Sequence, residues 1–257
     1  MLLAKLNYFW RWLATAFSFF IFGVGGILIP LLVVPVLYCL PGDKLLRERR
    51  GQKFIHLAFA WFITMMRLLG VLTYRVNNLE RIKKAQLILA NHPSLLDVVF
   101  LIALVPNANC IIKSALIRNP FMRGPIKAAG YIINNGYADD VINKTNTAFK
   151  QHQAVIVFPE GTRTEPSQPI TLKRGAANIA VRTKVDITPV IISCLPSTLT
   201  KQDKWYQIPH KRMHFQITIN DNISIKPYLN GLHPTKNARA LTQDLTTYFN
   251  NEAKVNE

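Results

Sequence analysis

Leu87-Ile88-Leu89-Ala90-Asn91-His92-Pro93-Ser94-Leu95-Leu96-Asp97 is a wholly apolar run that breaks into a polar turn and then opens a second apolar stretch. Four consecutive apolar residues bounded by turn-formers read as a strand buried on both faces, as in parallel sheets. Pro93 suits the first position of a helix and biases its predecessor away from helical angles. The sequence therefore predicts a strand, a turn carrying His92, and a helix from Pro93 to about Leu104. Residues five apart on a regular helix diverge by about 140°, so His92 must precede the helix if its ring is to fold back onto Asp97. The carboxylate would then hold the imidazole in one tautomer and leave the other nitrogen to take a hydroxyl proton. The same residues also fit a simpler reading, an Asn-His cap with Asp97 complementing the helix dipole.

Outward from this stretch, short strands alternate with helical segments. Val71 to Val76 reads as a strand with mixed faces, Ala154 to Phe158 and Ile187 to Ser193 as buried strands, and Phe215 to Ile225 as a late strand or hairpin. That alternation predicts an α/β domain. A second chemical constellation, Phe158-Pro159-Glu160-Gly161-Thr162-Arg163-Thr164, follows one of the buried strands and leads through a polar loop to Leu172-Lys173-Arg174-Gly175-Ala176-Ala177. Glycine permits a tight turn and close ligand approach, Thr162 offers a hydroxyl, and Arg163 supplies a planar donor fork suited to phosphate. A surface turn with a Glu160–Arg163 pair is the competing reading.

The N-terminal quarter differs in kind. Leu13 to Leu40 holds 28 residues without a charge, about 42 Å if helical, which exceeds the ~30 Å hydrocarbon layer. We read it as membrane-embedded rather than as a cleaved signal peptide, whose apolar region would be shorter. Gly23, Gly25, Gly26, Pro30 and Pro35 leave a kinked span and a re-entrant hairpin both open. Trp10 and Trp12 suit one interface, while Lys44, Arg47, Arg49, Arg50 and Lys53 crowd the other end, so a spanning helix would place the following domain on the cytoplasmic face of the cell membrane. Phe54 to Leu72 is read as a core helix in preference to an interfacial helix or a second span. The division expected is 1–53 as anchor and basic flank, and 54–257 as the globular domain.

Composition narrows the partners. The formal charge of +17 favours an anionic partner such as a membrane surface, acidic substrates or a carrier protein. No nucleic-acid recognition signature accompanies the charge, so no nucleic acid is expected. Cys39, Cys110 and Cys194 show no metal spacing and imply no disulfide. His152, His210, His214 and His233 likewise lack metal-ligand partners.

The two constellations, in this order and about 65 residues apart, resemble the glycerolipid acyltransferase family typified by lysophosphatidic acid acyltransferases. Its His-x4-Asp block matches His92 to Asp97 and its Glu-Gly-Thr-Arg block matches Glu160 to Arg163. Lys113-Ser114-Ala115-Leu116 with Asn119-Pro120-Phe121, Gly124 and Gly130-Tyr131-Ile132 looks like the intermediate motif, and Ile187-Thr188-Pro189-Val190 like the last. The resemblance implies a central, mostly parallel sheet flanked by helices behind an N-terminal membrane-embedded segment. It implies acyl transfer from a thioester, acyl-CoA or acyl carrier protein, to a hydroxyl of a lysophospholipid such as 1-acylglycerol 3-phosphate in the membrane. His92 would be the general base, Asp97 its orienting partner, and Glu160, Gly161, Thr162, Arg163 and Lys113 the binders of the acceptor's head. No metal or redox cofactor is expected, because a thioester needs only an activated nucleophile.

One departure opens the acceptor's identity. Typical lysophosphatidic acid enzymes carry an arginine a few residues beyond the Gly130 position, where this chain has Ile132-Ile133-Asn134-Asn135-Gly136-Tyr137. The segment from Asn119 to Ile132 also resembles acyltransferases of aryl-polyene gene clusters, which implies a different lipid acceptor. A basic, lipid-binding surface protein without catalysis is the non-enzymatic alternative.

Overall fold

The computed structural model describes residues 2–165, 168–229 and 233–255. Among these residues seven strands form one sheet: β1 (Leu72–Asn77), β2 (Leu87–Ala90), β3 (Ala108–Lys113), β4 (Ile132–Asn134), β5 (Ala154–Val157), β6 (Ile187–Leu195) and β7 (Met213–Ile219). Their order is β1-β7-β6-β2-β5-β3-β4. All neighbours pair in parallel except β6 and β7. The α/β class and the mostly parallel sheet are thus as the sequence implied.

The sheet separates two apolar layers, and alternation along each strand assigns residues to them. In β2, Ile88 and Ala90 point into one core and Leu87 and Leu89 into the other; in β5, Ile156 faces the first and Val155 and Val157 the second. The first layer contains α3 (Lys44–Leu68), α4 (Asp97–Leu104) and α5 (Pro120–Ala129); the second contains α6 (Ala138–Lys150), α7 (Arg174–Thr183) and α8 (Pro234–Val255). Because β2, β3, β4, β5 and β6 run parallel, the segments leaving their C-terminal ends emerge along one edge, where open α/β sheets hold ligands.

The apolar N-terminal run is helical from Leu2 to Cys39: α1 (Leu2–Leu28), a π-helical turn at Ile29–Val33, and α2 (Val34–Cys39). The two prolines are absorbed within this continuous path, and the chain reverses only at Leu40–Asp43, so the hairpin alternative does not apply inside the run. The helix rests along the domain. Arg11 donates to the carbonyls of Pro209 and His210, Phe22 packs on Phe59 and Phe62, Gly26 meets the backbone of Phe121, and Pro30 meets Gly124. Its opposite side presents Leu6, Phe9, Leu13, Phe17, Phe20, Ile27 and Leu31 outward.

The segment read as a helix from Phe54 begins ten residues earlier, at Lys44, because the Asp43 side chain accepts from the Leu46 amide and caps it. It therefore runs unbroken across position 53. Ile55, Phe62, Ile63 and Met66 enter the core, while Leu57, Trp61 and Leu68 stay exposed. At Gly51 a side-chain carbon would lie 1.9 Å from the Ala128 carbonyl oxygen, so only glycine lets α3 and α5 approach this closely.

Candidate active site

His92 lies two residues beyond the C-terminal end of β2, outside any helix or strand, and Asp97 is the first residue of α4. The helix thus starts four residues later than Pro93. Its entry is displaced because the intervening donors point elsewhere. The Ser94 amide bonds to the Asp97 carboxylate at 2.7 Å, and the Leu95 amide to the Leu199 carbonyl at 3.0 Å. His92 Nδ1 lies 2.9 Å from Asp97 Oδ2. The ring retains 18% side-chain exposure while Asp97 has none, so the pair has one wet end and one dry end. With the carboxylate as acceptor, Nδ1 carries the proton and Nε2 holds the lone pair.

Burial pushes the Asp97 carboxyl above the usual range, against the His92 and Ser94 hydrogen bonds that favour its charged form. Its second oxygen, Oδ1, has no hydrogen-bond partner among the described residues. Ser94 serves the turn: it is fully buried and its hydroxyl donates to the Thr198 carbonyl at 3.1 Å. Phe158, from the end of β5, lies against the imidazole with ring centroids 4.4 Å apart.

The Glu160–Arg163 turn sits beside His92 because β5 neighbours β2. Glu160 does not face the candidate cavity as a head-group ligand would. It is buried, accepts from the His92 amide at 2.7 Å through Oε1, and accepts from the Thr164 hydroxyl through Oε2. Thr164 returns its own amide to the His92 carbonyl at 3.0 Å. Both peptide groups of His92 are therefore fixed by one turn. Desolvation, with a smaller push from Asp97, raises the Glu160 carboxyl to about 7.

Arg163 also works within the fold, where Nη1 donates to the carbonyls of Leu199 and Thr200 at 2.8 and 2.7 Å. Thr162 is exposed at the tip of the turn. Gly161 adopts φ +70°, a left-handed conformation that favours glycine.

A cavity of about 390 Å³ opens at the same sheet edge, between the C-terminal ends of β3, β4 and β5 and the start of α7. Lys113, Asn134, Phe158, Gly161, Lys173 and Asn178 are among its walls, and among the described residues no acidic one lines it. The structure thus joins Lys113 to Gly161, as the sequence reading grouped them. It adds Lys173, whose amine lies 3.1 Å from where a Gly161 side chain would begin. The available signal was a lysine directly before the helix-opening Arg174-Gly175, where amide dipoles already favour anions. The bracing segment Thr198–Thr200 also went unread, since its contributions are main-chain carbonyls.

The fold thus carries a His–Asp pair and a basic cavity at the C-terminal edge of a mostly parallel α/β sheet. Residues 73–193 match the family model described as Acyltransferase. Among similar proteins, the 1-acyl-sn-glycerol-3-phosphate acyltransferase of Saccharomyces cerevisiae is 32% identical over 142 residues, covering 51% of this chain and 46% of that one. The protein of the same name from Helicobacter pylori is 33% identical over 125 residues, covering 45% and 53%. The chain thus matches about half the length of these relatives. The crystal structure of the 1-acyl-sn-glycerophosphate (LPA) acyltransferase PlsC from Thermotoga maritima shares the fold, with a TM-score of 0.68 at 20% identity over 98% of both chains.

Proposed function

We propose that the protein is a membrane-bound O-acyltransferase that moves an acyl chain from acyl-CoA or acyl carrier protein to a hydroxyl of a 1-acylglycerol 3-phosphate-type lysophospholipid. The observation that carries this reading is the 2.9 Å contact between His92 and a fully buried Asp97, beside a cavity lined by two lysines. His92 Nε2 takes the hydroxyl proton as the oxygen attacks the thioester carbonyl. The C–O bond forms, the C–S bond breaks, and the imidazolium returns the proton to the departing sulfur. Asp97 stabilises the imidazolium between these two transfers.

Lys113, Lys173 and the Gly161–Arg163 turn hold the acceptor's phosphate, and Glu160 keeps His92 in place. The scheme draws only on the two substrates and these side chains. Membrane attachment runs through the outward apolar side of α1 and the exposed Leu57, Trp61 and Leu68 of α3. The contacts of the domain along α1 from Tyr8 to Pro30 support a helix lying in the surface layer of one leaflet, and the basic cluster from Lys44 to Lys53 supports the cytoplasmic side for the catalytic domain.

A second reading of the acceptor has its own support. Asn134 and Gly136 line the cavity where an arginine would be expected, which suits a different lipid acceptor, as in an aryl-polyene-type pathway. Thiol release by H92A in detergent tests the mechanism: loss of turnover with an unchanged unfolding temperature is expected, and undiminished transfer would overturn it. Running wild type with both donors over glycerolipid and non-glycerolipid acceptors separates the two readings, and failure with every glycerolipid acceptor would reject the first.

A further inference from the structure

Strands β6 and β7 are antiparallel neighbours that two to five residues could join, yet residues 196–212 separate them. The base of this connection, Thr198–Thr200, is buried and frames the His92 turn through its carbonyls. Its tip is different. Trp205 and Tyr206 are 45% and 43% exposed, with ring centroids 5.6 Å apart. Flanking them in sequence are Lys201, Lys204, Lys211 and Arg212, all exposed. Asp203 is the only acid in 196–212, and its carboxylate is engaged by the Thr200 amide at 3.0 Å.

The tip lies against α1. Trp205 packs on Phe19 at 5.7 Å, His210 on Tyr8 at 5.6 Å, and Arg11 holds the carbonyls of Pro209 and His210. It is therefore continuous with the helix whose other side presents an unbroken apolar face. Tryptophan and tyrosine settle at the headgroup level of bilayers, and each lysine or arginine near an anionic leaflet strengthens binding about fivefold.

We propose that residues 201–212 form a second bilayer contact, in which Trp205 and Tyr206 enter the headgroup layer and the four basic residues grip anionic phospholipid. The contact lies one short segment from the turn bearing His92. The proposal rests on the reading of α1 as membrane-embedded, but not on the acyl-transfer chemistry.

The test uses the full chain in lipid nanodiscs of phosphatidylcholine alone or with one third phosphatidylglycerol. A W10F/W12F/W61F variant leaves Trp205 as the sole tryptophan. Its emission should shift to the blue with anionic lipid, and quenching by headgroup spin-labelled lipid should be at least twofold stronger than in neutral discs. K201Q/K204Q/K211Q in that background should abolish the difference. Water-like emission, unaffected by the spin label in both disc types, would overturn the proposal. The complementary W205F variant locates such a failure: quenching of its remaining tryptophans confines the error to the loop, whereas none would remove the membrane reading of α1 as well.

Discussion

Replacing Asp97 with asparagine separates the charge of the pair from its geometry. Asp97 Oδ2 accepts from both the His92 ring and the Ser94 amide. An asparagine with its carbonyl oxygen in that place keeps both contacts, and its amide takes the position of Oδ1. What disappears is the negative charge facing the imidazolium. Two unit charges about 4 Å apart interact by about 4 kcal/mol at an effective dielectric of 20, which corresponds to about a thousandfold in rate. The same change removes a desolvated carboxylate from a fully buried site, so the unfolding temperature should hold or rise. The assay is kcat under saturating donor and acceptor, with thermal unfolding on the same preparation. A D97N enzyme within tenfold of wild type would refute the electrostatic role of Asp97, and a loss that follows unfolding would reduce it to a structural one.

Three further outcomes are expected. The folded state holds the Glu160 proton up to about pH 7, whereas the ordinary carboxyl releases it near 4.5. The folded protein therefore binds more protons across that window, and stability falls as pH rises through it by about 3 kcal/mol. In E160Q this slope should vanish, as seen by thermal unfolding at pH 5 and pH 8; an unchanged slope would assign it to another group. G161A places a side chain at φ +70° and 3.1 Å from the Lys173 amine; about 1 kcal/mol of stability should be lost, and acceptor KM should rise more than donor KM in steady-state kinetics. G51A meets the Ala128 carbonyl at 1.9 Å and should cost about 3 kcal/mol, measurable by denaturant unfolding, with no loss if α3 and α5 can part freely.

The sequence was most informative where a single strand dictates its surroundings. Leu87–Ala90 and Ala154–Val157 are apolar on both faces, and such strands belong at the centre of a parallel sheet, which places His92 and Glu160 at the same edge. β3 and β4 were harder to read. β4 has only three residues, and Asn109 in β3 is buried because it answers the Ile132 amide and the Gln153 side chain, contacts made only after folding. The task of Glu160 was similarly hidden. Residue type suggested a ligand contact, and only the sheet order reveals that the His92 amide lies 2.7 Å away. The start of α4 was misplaced for the same kind of reason, since the Leu95 amide finds its acceptor more than a hundred residues along the chain.

Phe158 touches the imidazole and also lines the basic cavity, so one ring forms a partition between the His92 ring and the two lysines. In the proposed reaction an acceptor would have to bend around that partition. Its length between hydroxyl and phosphate would thereby be gauged by the protein, and a smaller residue at 158 would loosen the gauge without altering either chemical group.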